Sequence, residues 1–444
     1  MNIIAVDCGA SFIKFALFKD DTLVKSKHIS APQVINDESV FCTDRIEALI
    51  HSVKDGLNML SAEVEDSILS IDNEMHGFIL AYPDGRPYTD YISWQTELIG
   101  SSEVETYIRD SVGEEKSQEF IRHTGMPLRS GLPSSTLYWL YRNGYLERQT
   151  PLFFYTLGDY IIKRITEKEP LCHLTNAAAT GLVDLETGDW NREYISLLIG
   201  NADIVFPKIG KAETEYSDGG KRFSVLPAIG DQQAALLRSS FDNIGQLSVN
   251  MGTGAQVSRL LADGFQYGDY QIRPYFFGSY IRTIPHIPSG RAINVFFRFL
   301  KGILSKLDRE IEDETVWNIM QESVSSEAKS SDDLCCDLSF FENAVTGHSK
   351  GSISNITEYG FTLESLLNSV FRQITDNIVT IAERVNEGLP EYKAIIFSGG
   401  IAKRWDILRE EIADKMRAEA KVVLSENDAL FGCMRYAMMD TEQR

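Results

Sequence analysis

The chain opens with IIAVDCGASFIKFALF, residues 3–18. Apolar and β-branched residues predict strands at 3–6 and 13–18, joined by a turn that carries Asp7 and Gly9. Far downstream, LSVNMGTGAQVS at residues 247–258 has the same order of strand, glycine-rich turn and strand. Two similar hairpins, each near the start of one half of the chain, indicate an internal duplication. We therefore predict two related domains.

The length of the chain agrees with two domains. A single core stops growing at about 250–300 residues, whereas this chain has 444. We place the boundary between residues 1–242 and 243–444. Hairpins alternate with strand–helix units, which predicts the α/β class. Strands are also expected at 68–71, 224–228 and 394–397, and helices are expected at residues 136–142, 157–165, 293–307, 361–386 and 404–416.

Composition restricts the possible partners and compartments. The net charge of −21 disfavours a nucleic-acid partner, since the protein repels the phosphate backbone. The six cysteines form no CxxC pair, which disfavours a zinc site or a disulfide framework and is typical of reduced, cytoplasmic thiols. The first residues lack the pattern of a signal peptide, and no apolar run reaches the ~18 residues of a membrane span.

Three glycine-rich turns are candidates for a nucleotide site. A third turn, Ser398-Gly399-Gly400, lies between an apolar strand and a predicted helix. Glycine lets backbone N–H groups approach a phosphate, and a helix N-terminus favours anions. Each turn alone is an ordinary tight turn, but the three together predict phosphate binding. Asp7 is either a ligand of Mg²⁺ or an Asx-turn residue, and Lys14 either faces the phosphates or is a solvated strand residue.

One carboxylate and one loop are candidates for binding the molecule whose hydroxyl attacks the phosphate. Asp231, in Gly230-Asp231-Gln232, lies between an apolar segment and helix-forming residues, where it either accepts a proton from an attacking hydroxyl or caps the helix. His76, in Glu74-Met75-His76-Gly77, either donates to sugar hydroxyls or is structural. Trp94 either covers an apolar sugar face or lies in the core.

These motifs, in this order, resemble the FGGY family of carbohydrate kinases over nearly the whole chain. Leu157-Gly158-Asp159-Tyr160 and Thr175-Asn176-Ala177-Ala178 match further family segments. Within the family, the pattern around Trp94 and Asp231 is most similar to sedoheptulokinase-like members and then to xylulokinases. The resemblance implies two actin-like (ribonuclease H-like) domains with a central interdomain cleft.

The resemblance also implies an activity and a site. The activity is transfer of the γ-phosphate of MgATP to a primary hydroxyl of a ketose, similar to sedoheptulose or xylulose, with Asp231 as general base. Mg²⁺ would be bound near Asp7 and Asp231. ATP would contact Asp7, Gly9, Ser11, Lys14, Gly252, Thr253, Gly254, Gly399 and Gly400. The sugar would contact Met75, His76, Trp94, Asp231 and Gln232. The family permits a monomer or a homodimer.

Four residues depart from the family pattern and leave alternatives open. Ala10 replaces a threonine of the first phosphate motif, and Glu74 replaces a glutamine on the sugar side. Thr96 and Leu98 replace two charged residues after Trp94. These changes put the sugar in question and permit a second interpretation, an ATP-binding regulator with weak or no kinase activity. A chaperone-like ATPase is a third interpretation, but it gives Trp94 no ligand.

Overall fold

The computed structural model describes residues 1–32, 39–146, 150–239, 245–262, 264–306, 310–324, 334–341, 343–423 and 427–442. The chain divides into two compact units. Unit 1 comprises Met1–Ser240, Arg273–Phe277 and Glu426–Arg444, and unit 2 comprises Phe241–Ile272 and Gly278–Ser425. The predicted boundary between residues 242 and 243 lies outside the described residues. Unit 1 also contains two segments from the second half of the chain, which the two contiguous halves of the prediction did not include.

The described residues form twenty strands. They are β1 Asn2–Cys8, β2 Phe12–Lys19, β3 Thr22–Ser30, β4 Asp66–Asn73, β5 Ile79–Ala81, β6 Leu152–Tyr155, β7 Val183–Asp184, β8 Asp189–Trp190, β9 Ile204–Val205, β10 Thr214–Asp218, β11 Lys221–Val225, β12 Ile229–Gly230, β13 Gln246–Met251, β14 Gly254–Leu261, β15 Gln271–Pro274, β16 Tyr280–Pro288, β17 Cys335–Asp337, β18 Ser352–Ser354, β19 Ala394–Ser398 and β20 Glu419–Val422.

The described residues also form fourteen α-helices. They are α1 Asp44–Ser61, α2 Ser101–Val112, α3 Glu114–His123, α4 Pro133–Arg142, α5 Leu157–Thr166, α6 Leu174–Ala178, α7 Arg192–Ile199, α8 Asp231–Arg238, α9 Gly290–Leu304, α10 Asp313–Ser323, α11 Leu363–Asn386, α12 Gly400–Arg404, α13 Asp406–Met416 and α14 Asp428–Glu442. Within the described ranges, no helix combines the length and apolar character needed to cross a membrane.

The main sheets of the two units share one topology. In unit 1, β3, β2 and β1 are antiparallel neighbours, and β4 and then β11 continue the sheet in parallel with β1. In unit 2, β16, β14 and β13 are antiparallel neighbours, and β19 and then β20 continue in parallel with β13. The hairpin that opens each half therefore occupies the same place in its sheet, which confirms the predicted duplication.

Sequence periodicity located most helices within a few residues. The apolar face of α11, which includes Ile374, Ile378 and Ile381, is fully buried in the core of unit 2, and the Thr362 hydroxyl caps its first turn by accepting from Ser365 N at 3.2 Å. The helix predicted at 404–416 begins instead as α12 and is interrupted at Trp405. The strand predicted at 224–228 ends at Val225, because β11 leaves its pairing with β4 there.

The C-terminal helix belongs to unit 1 because its small residues allow close packing. A Cβ atom added to Gly432 of α14 would lie 1.9 Å from the carbonyl oxygen of Ala234 in α8. Arg435 donates from Nη1 to Leu237 O at 2.9 Å, and the Phe431 ring packs edge-on against Phe18 of β2 with centroids 5.1 Å apart. The end of the chain is thus held against the sheet that its beginning forms.

Gly432→Ala tests this close contact. The added methyl meets backbone rather than a movable side chain, so we expect a loss of at least about 2 kcal/mol in the free energy of unfolding. Gly302→Ala is the matched control, since its Cβ meets nothing within 4 Å on the exposed side of α9. Alanine there should be neutral or stabilise by roughly 0.5–1 kcal/mol. Denaturant unfolding of both variants measures the difference, and equal values would contradict the packing argument.

Candidate functional site

Acidic residues meet at the carboxyl ends of neighbouring strands in unit 1. Strands β1 and β4 are parallel, and Asp7 is paired in register with Asp72. Strand β12 is parallel to β4 on its other side, with Ile229 opposite Asp72, and Asp231 follows directly. Since parallel strands end at the same edge, the register brings these three carboxylates into one neighbourhood.

Asp7 is buried and paired with a lysine. It is 6% exposed, and Lys14 Nζ lies 3.0 Å from its Oδ2 across the β1–β2 hairpin. The turn closes through Gly9, whose N–H donates to Phe12 O at 3.1 Å. Ala10 and Ser11 are exposed at the tip of this turn. The predicted residues of the first phosphate turn therefore lie together.

Asp231 is the first residue of α8, and Gly230 occupies the N-cap position. Its Oδ1 accepts from Gln232 N at 2.7 Å. Burial and then the charge of Asp7 raise the pKa of Asp231 from 3.8 to about 6, while the Gln232 N–H and Arg273 act in the opposite direction. Asp231 is therefore not the N-cap residue of α8, because Gly230 occupies that position. The raised pKa brings the Asp231 carboxyl closer to neutral pH than an ordinary aspartate.

Asp72 was not singled out from the sequence. Its side chain is completely buried, and Cys433 of α14 donates from Sγ to Oδ2 at 3.1 Å. Burial, followed by the neighbouring Asp7, raises the pKa of Asp72 well above its ordinary value. The available signal was an acidic residue at the end of an apolar strand, but only the register of β4 with β1 shows its neighbours.

The loop after β4 carries the predicted sugar-side residues. Met75 is buried, and His76 adopts a left-handed backbone conformation with φ of 66°, which is uncommon for a non-glycine residue. His76 donates from Nδ1 to Ala179 O at 2.6 Å. This bond and the backbone strain fix the loop conformation, as often occurs at binding sites.

Glu74 and Trp94 lie beside this loop. Glu74 is 7% exposed and its Oε2 atom has no hydrogen-bond partner. Burial and then the charge of Asp231 raise the pKa of Glu74 to about 7, and the side chains of Tyr91 and Trp94 act in the opposite direction. The Trp94 side chain is 45% exposed. Its core interpretation is therefore wrong, and its indole is available to a ligand.

A buried polar network supports the strand ends. Asn176 donates from Nδ2 to Asn73 Oδ1 at 2.8 Å and to Ala228 O at 2.9 Å. The Thr175 hydroxyl accepts from Gly230 N at 3.1 Å. The Thr175–Ala178 motif therefore holds the backbone that leads into Asp231, at Ala228 and Gly230, a supporting role that the motif match alone did not reveal.

In unit 2, the second hairpin turn and the third glycine turn are neighbours. Asn250 of β13 is in register with Ser398 of β19. Gly399 follows with φ of 91°, and a Cβ atom there would lie 2.4 Å from Met251 O. Only glycine fits this position. Gly400 begins α12, and a Cβ atom on it would meet nothing within 4 Å, so its surroundings are open.

The turn between β13 and β14 is held by the start of α9. Gly252 O accepts from Gly290 N at 3.1 Å, and Thr253 O accepts from Arg291 N at 2.7 Å. Thr253 and Gly254 are exposed. The carbonyl groups of Gly252 and Thr253 are thus engaged by α9, while Thr253 itself is exposed to solvent.

The carboxylates at the strand ends are the candidate ligands of a metal ion. Among the residues that the structure describes, no three or more His, Cys, Asp or Glu side chains converge as a ready metal site. Mg²⁺ commonly uses one or two carboxylates and completes its shell with phosphate oxygens and water. The carboxylates of Asp7 and Asp231, whose charges act on one another, fit that mode of binding.

Comparison with known proteins agrees with this arrangement. Residues 2–230 match the N-terminal domain of the FGGY family of carbohydrate kinases. Glycerol kinase 2 of Streptomyces avermitilis is 27% identical over 201 residues, which cover 43% of this chain and 38% of that protein. Rhamnulokinase of Halalkalibacterium halodurans is 27% identical over 251 residues, which cover 53% of this chain and 51% of that protein. The chain thus spans about half or less of the length of these curated relatives.

The fold also matches solved structures. Ligand-bound xylulose kinase from Lactobacillus acidophilus superposes with a TM-score of 0.81 at 18% identity, covering 100% of this chain and 90% of that one. This likeness confirms the predicted fold class, which is α/β with two actin-like (ribonuclease H-like) domains.

Asp159 of α5 is a buried carboxyl whose effect on stability should depend on pH. Burial raises its pKa from 3.8 to about 6, so its contribution to stability is fully present below pH 3.8 and is lost as the pH rises through about 6. One pKa unit corresponds to about 1.4 kcal/mol, so wild type should lose roughly 3 kcal/mol relative to Asp159→Asn between pH 4 and 7. Denaturant unfolding of both proteins at several pH values measures this. A pH-independent difference would contradict the shift.

Proposed function

Because the chain belongs to the FGGY family of carbohydrate kinases, we propose that it transfers the γ-phosphate of ATP to a primary hydroxyl of a ketose. The observation that carries the proposal is Asp231, a half-buried carboxylate of raised pKa at the edge of the unit 1 sheet, whose charge acts on Glu74 at the start of the loop with Met75 and His76. The sedoheptulokinase-like pattern of the sequence supports a sedoheptulose- or xylulose-like substrate.

Asp231 acts as the general base. The substrate oxygen forms a bond to the γ-phosphorus, the bond from that phosphorus to the β–γ bridging oxygen breaks, and ADP leaves with the electron pair. The hydroxyl proton passes to Asp231. A base with a pKa of about 6 is still ionised at neutral pH and is more basic than an ordinary aspartate, which favours proton transfer.

Phosphate recognition is assigned to the glycine turns. In unit 1 we propose Gly9, Ser11 and Lys14, with backbone N–H groups and one ammonium as donors. In unit 2 we propose Gly252, Thr253 and Gly254 for the phosphates, and Gly399 and Gly400 for the adenosine. The exposed Thr253 hydroxyl and the open surroundings of Gly400 support this assignment.

Asp7 and Asp231 are the residues that would hold Mg²⁺. The ion supplies positive charge that offsets the phosphate oxygens. In this chain, Lys14 orients the Asp7 carboxylate through the 3.0 Å ion pair. Met75, His76, Trp94 and Gln232 would position the sugar. All six cysteines are free thiols, which supports a cytoplasmic location.

The regulator interpretation rests on Ala10. Its methyl group stands exposed in the first phosphate turn, where the family has a threonine hydroxyl. Assaying ADP release with MgATP and a panel of sedoheptulose, xylulose, ribulose and glycerol separates the two candidates. We expect strong stimulation by a ketose. ATP binding without stimulation by any sugar would favour the regulator.

Asp231→Asn tests the base. The amide keeps the shape of the carboxylate but cannot take the proton, so kcat should fall by at least about 100-fold while the variant folds normally. Asp189→Asn, on an exposed strand residue, is the matched control and should keep the wild-type rate. Near-normal turnover in Asp231→Asn would show that another group takes the proton.

The pH dependence of kcat gives an independent check. Only ionised Asp231 accepts the proton, so kcat should rise with pH through about 6 and level off above it. An unperturbed aspartate would place this rise near 3.8. Steady-state kinetics between pH 4.5 and 8 would locate it, and an acid limb below pH 5 would be inconsistent with the raised pKa.

A further inference from the structure

A short stretch from the second half of the chain is built into unit 1. Residues Arg273–Phe277 cluster with unit 1, although the chain on both sides belongs to unit 2. Gln233 of α8, fully buried, donates from Nε2 to Pro274 O at 3.1 Å. The Phe276 ring lies 5.9 Å from His173 and 5.4 Å from Tyr436 between centroids. These contacts fix the backbone that carries Arg273.

The stretch brings a guanidinium to the side of the proposed base. Arg273 is 9% exposed and donates from Nη1 to Gln232 Oε1, on the residue that follows Asp231. Its positive charge acts on Asp231 and lowers the pKa of that carboxyl. Burial and then the charge of Arg129 lower the pKa of Arg273 to about 10, so a second guanidinium lies near the first.

The bond to Arg273 also orients the Gln232 amide. With Oε1 engaged, the Nε2 group of Gln232 is buried and has no hydrogen-bond partner. Buried polar groups are rarely left in this state, so this N–H group is a donor that an acceptor atom of a ligand or of water would satisfy. Glu74, whose carboxyl senses the charge of Asp231, has a buried Oε2 atom that also lacks a hydrogen-bond partner.

We infer that Arg273 and the Gln232 amide bind a planar C=O oxygen of the substrate, so that this site selects ketoses or sugar acids over sugar alcohols. A ketone or carboxylate oxygen only accepts, and it presents two lone pairs to a donor pair. The equivalent hydroxyl of a sugar alcohol can accept from the same donors only when its own hydrogen is directed to a separate acceptor, which restricts its orientation. Glu74 accepts from a substrate hydroxyl instead. The inference rests on the proposed function and names the substrate class.

Binding without ATP tests the inference apart from turnover. Calorimetric titrations of wild type with D-xylulose, D-gluconate and xylitol compare a five-carbon ketone, a six-carbon carboxylate and a five-carbon alcohol. We expect either D-xylulose or D-gluconate to bind at least about tenfold more tightly than xylitol. The stronger of the two identifies the source of the C=O group. Equal or tighter binding of xylitol would overturn the inference.

Arg273→Gln tests the residue itself. It should weaken binding of the preferred C=O ligand by roughly tenfold to a hundredfold and change xylitol binding by less than about threefold. Arg273→Lys keeps the charge but loses the forked donor geometry, and it should give an intermediate loss. Arg222→Gln, which removes an exposed arginine paired with Asp66, is the control and should bind as wild type does.

The outcomes separate the two proposals. Circular dichroism and thermal unfolding establish that each variant is folded before binding is compared. Selective binding that depends on Arg273, without sugar-dependent ADP release, would contradict the kinase and support the inference. Sugar-dependent ADP release with equal losses for all three ligands in Arg273→Gln would support the kinase and overturn the inference.

Discussion

The arrangement of unit 1 depends on the pairing register of β1, β4 and β12. This register puts Asp7 and Asp72 side by side and delivers Asp231 next to them. Burial first, and then repulsion by the charge of Asp7, disfavours the ionised carboxylates, which is why the pKa values of Asp72 and Asp231 are raised. Stability does not explain this cluster of carboxylates, because well-packed apolar side chains in the same place would stabilise the fold better. The cluster is therefore best explained by its chemistry.

One neighbouring strand and two segments that are distant in sequence limit this electrostatic cost. Lys14 comes from the strand next to Asp7, Cys433 comes from the C-terminal helix, and Arg273 comes from a stretch that interrupts unit 2. Each is held by packing of its own, such as the contact of Gly432 with the backbone of Ala234. The packing that places the C-terminal helix and the stretch at Arg273 in unit 1 thus also brings these partners to the carboxylates.

Local features of the sequence explain what could be predicted. The two hairpins, the long helix α11 and the glycine turns follow from alternation, helical spacing and conformational freedom, all of which lie within a few neighbouring residues. The roles of Asp72, Cys433 and Arg273 depend on contacts between distant segments, such as the 3.1 Å bond from Cys433 to Asp72. No pattern near Arg273 indicates that it joins α8. The sequence thus predicted the motifs of the site, and tertiary contacts supplied the residues that adjust its charge.

The two sheets carry different residues at equivalent positions. Where unit 1 pairs Asp7 with Asp72 at the ends of its parallel central strands, unit 2 pairs Asn250 with Ser398. The acidic pair suits a cation and a proton acceptor, whereas the neutral pair leaves the adjoining backbone N–H groups of the glycine turns unopposed by carboxylates. Phosphate groups are repelled by buried aspartates and attracted by such N–H groups. Under the proposed function, unit 1 therefore supplies the carboxylates that hold the cation and accept the proton, whereas the unit 2 turns offer the phosphates N–H groups with no carboxylate pair beside them.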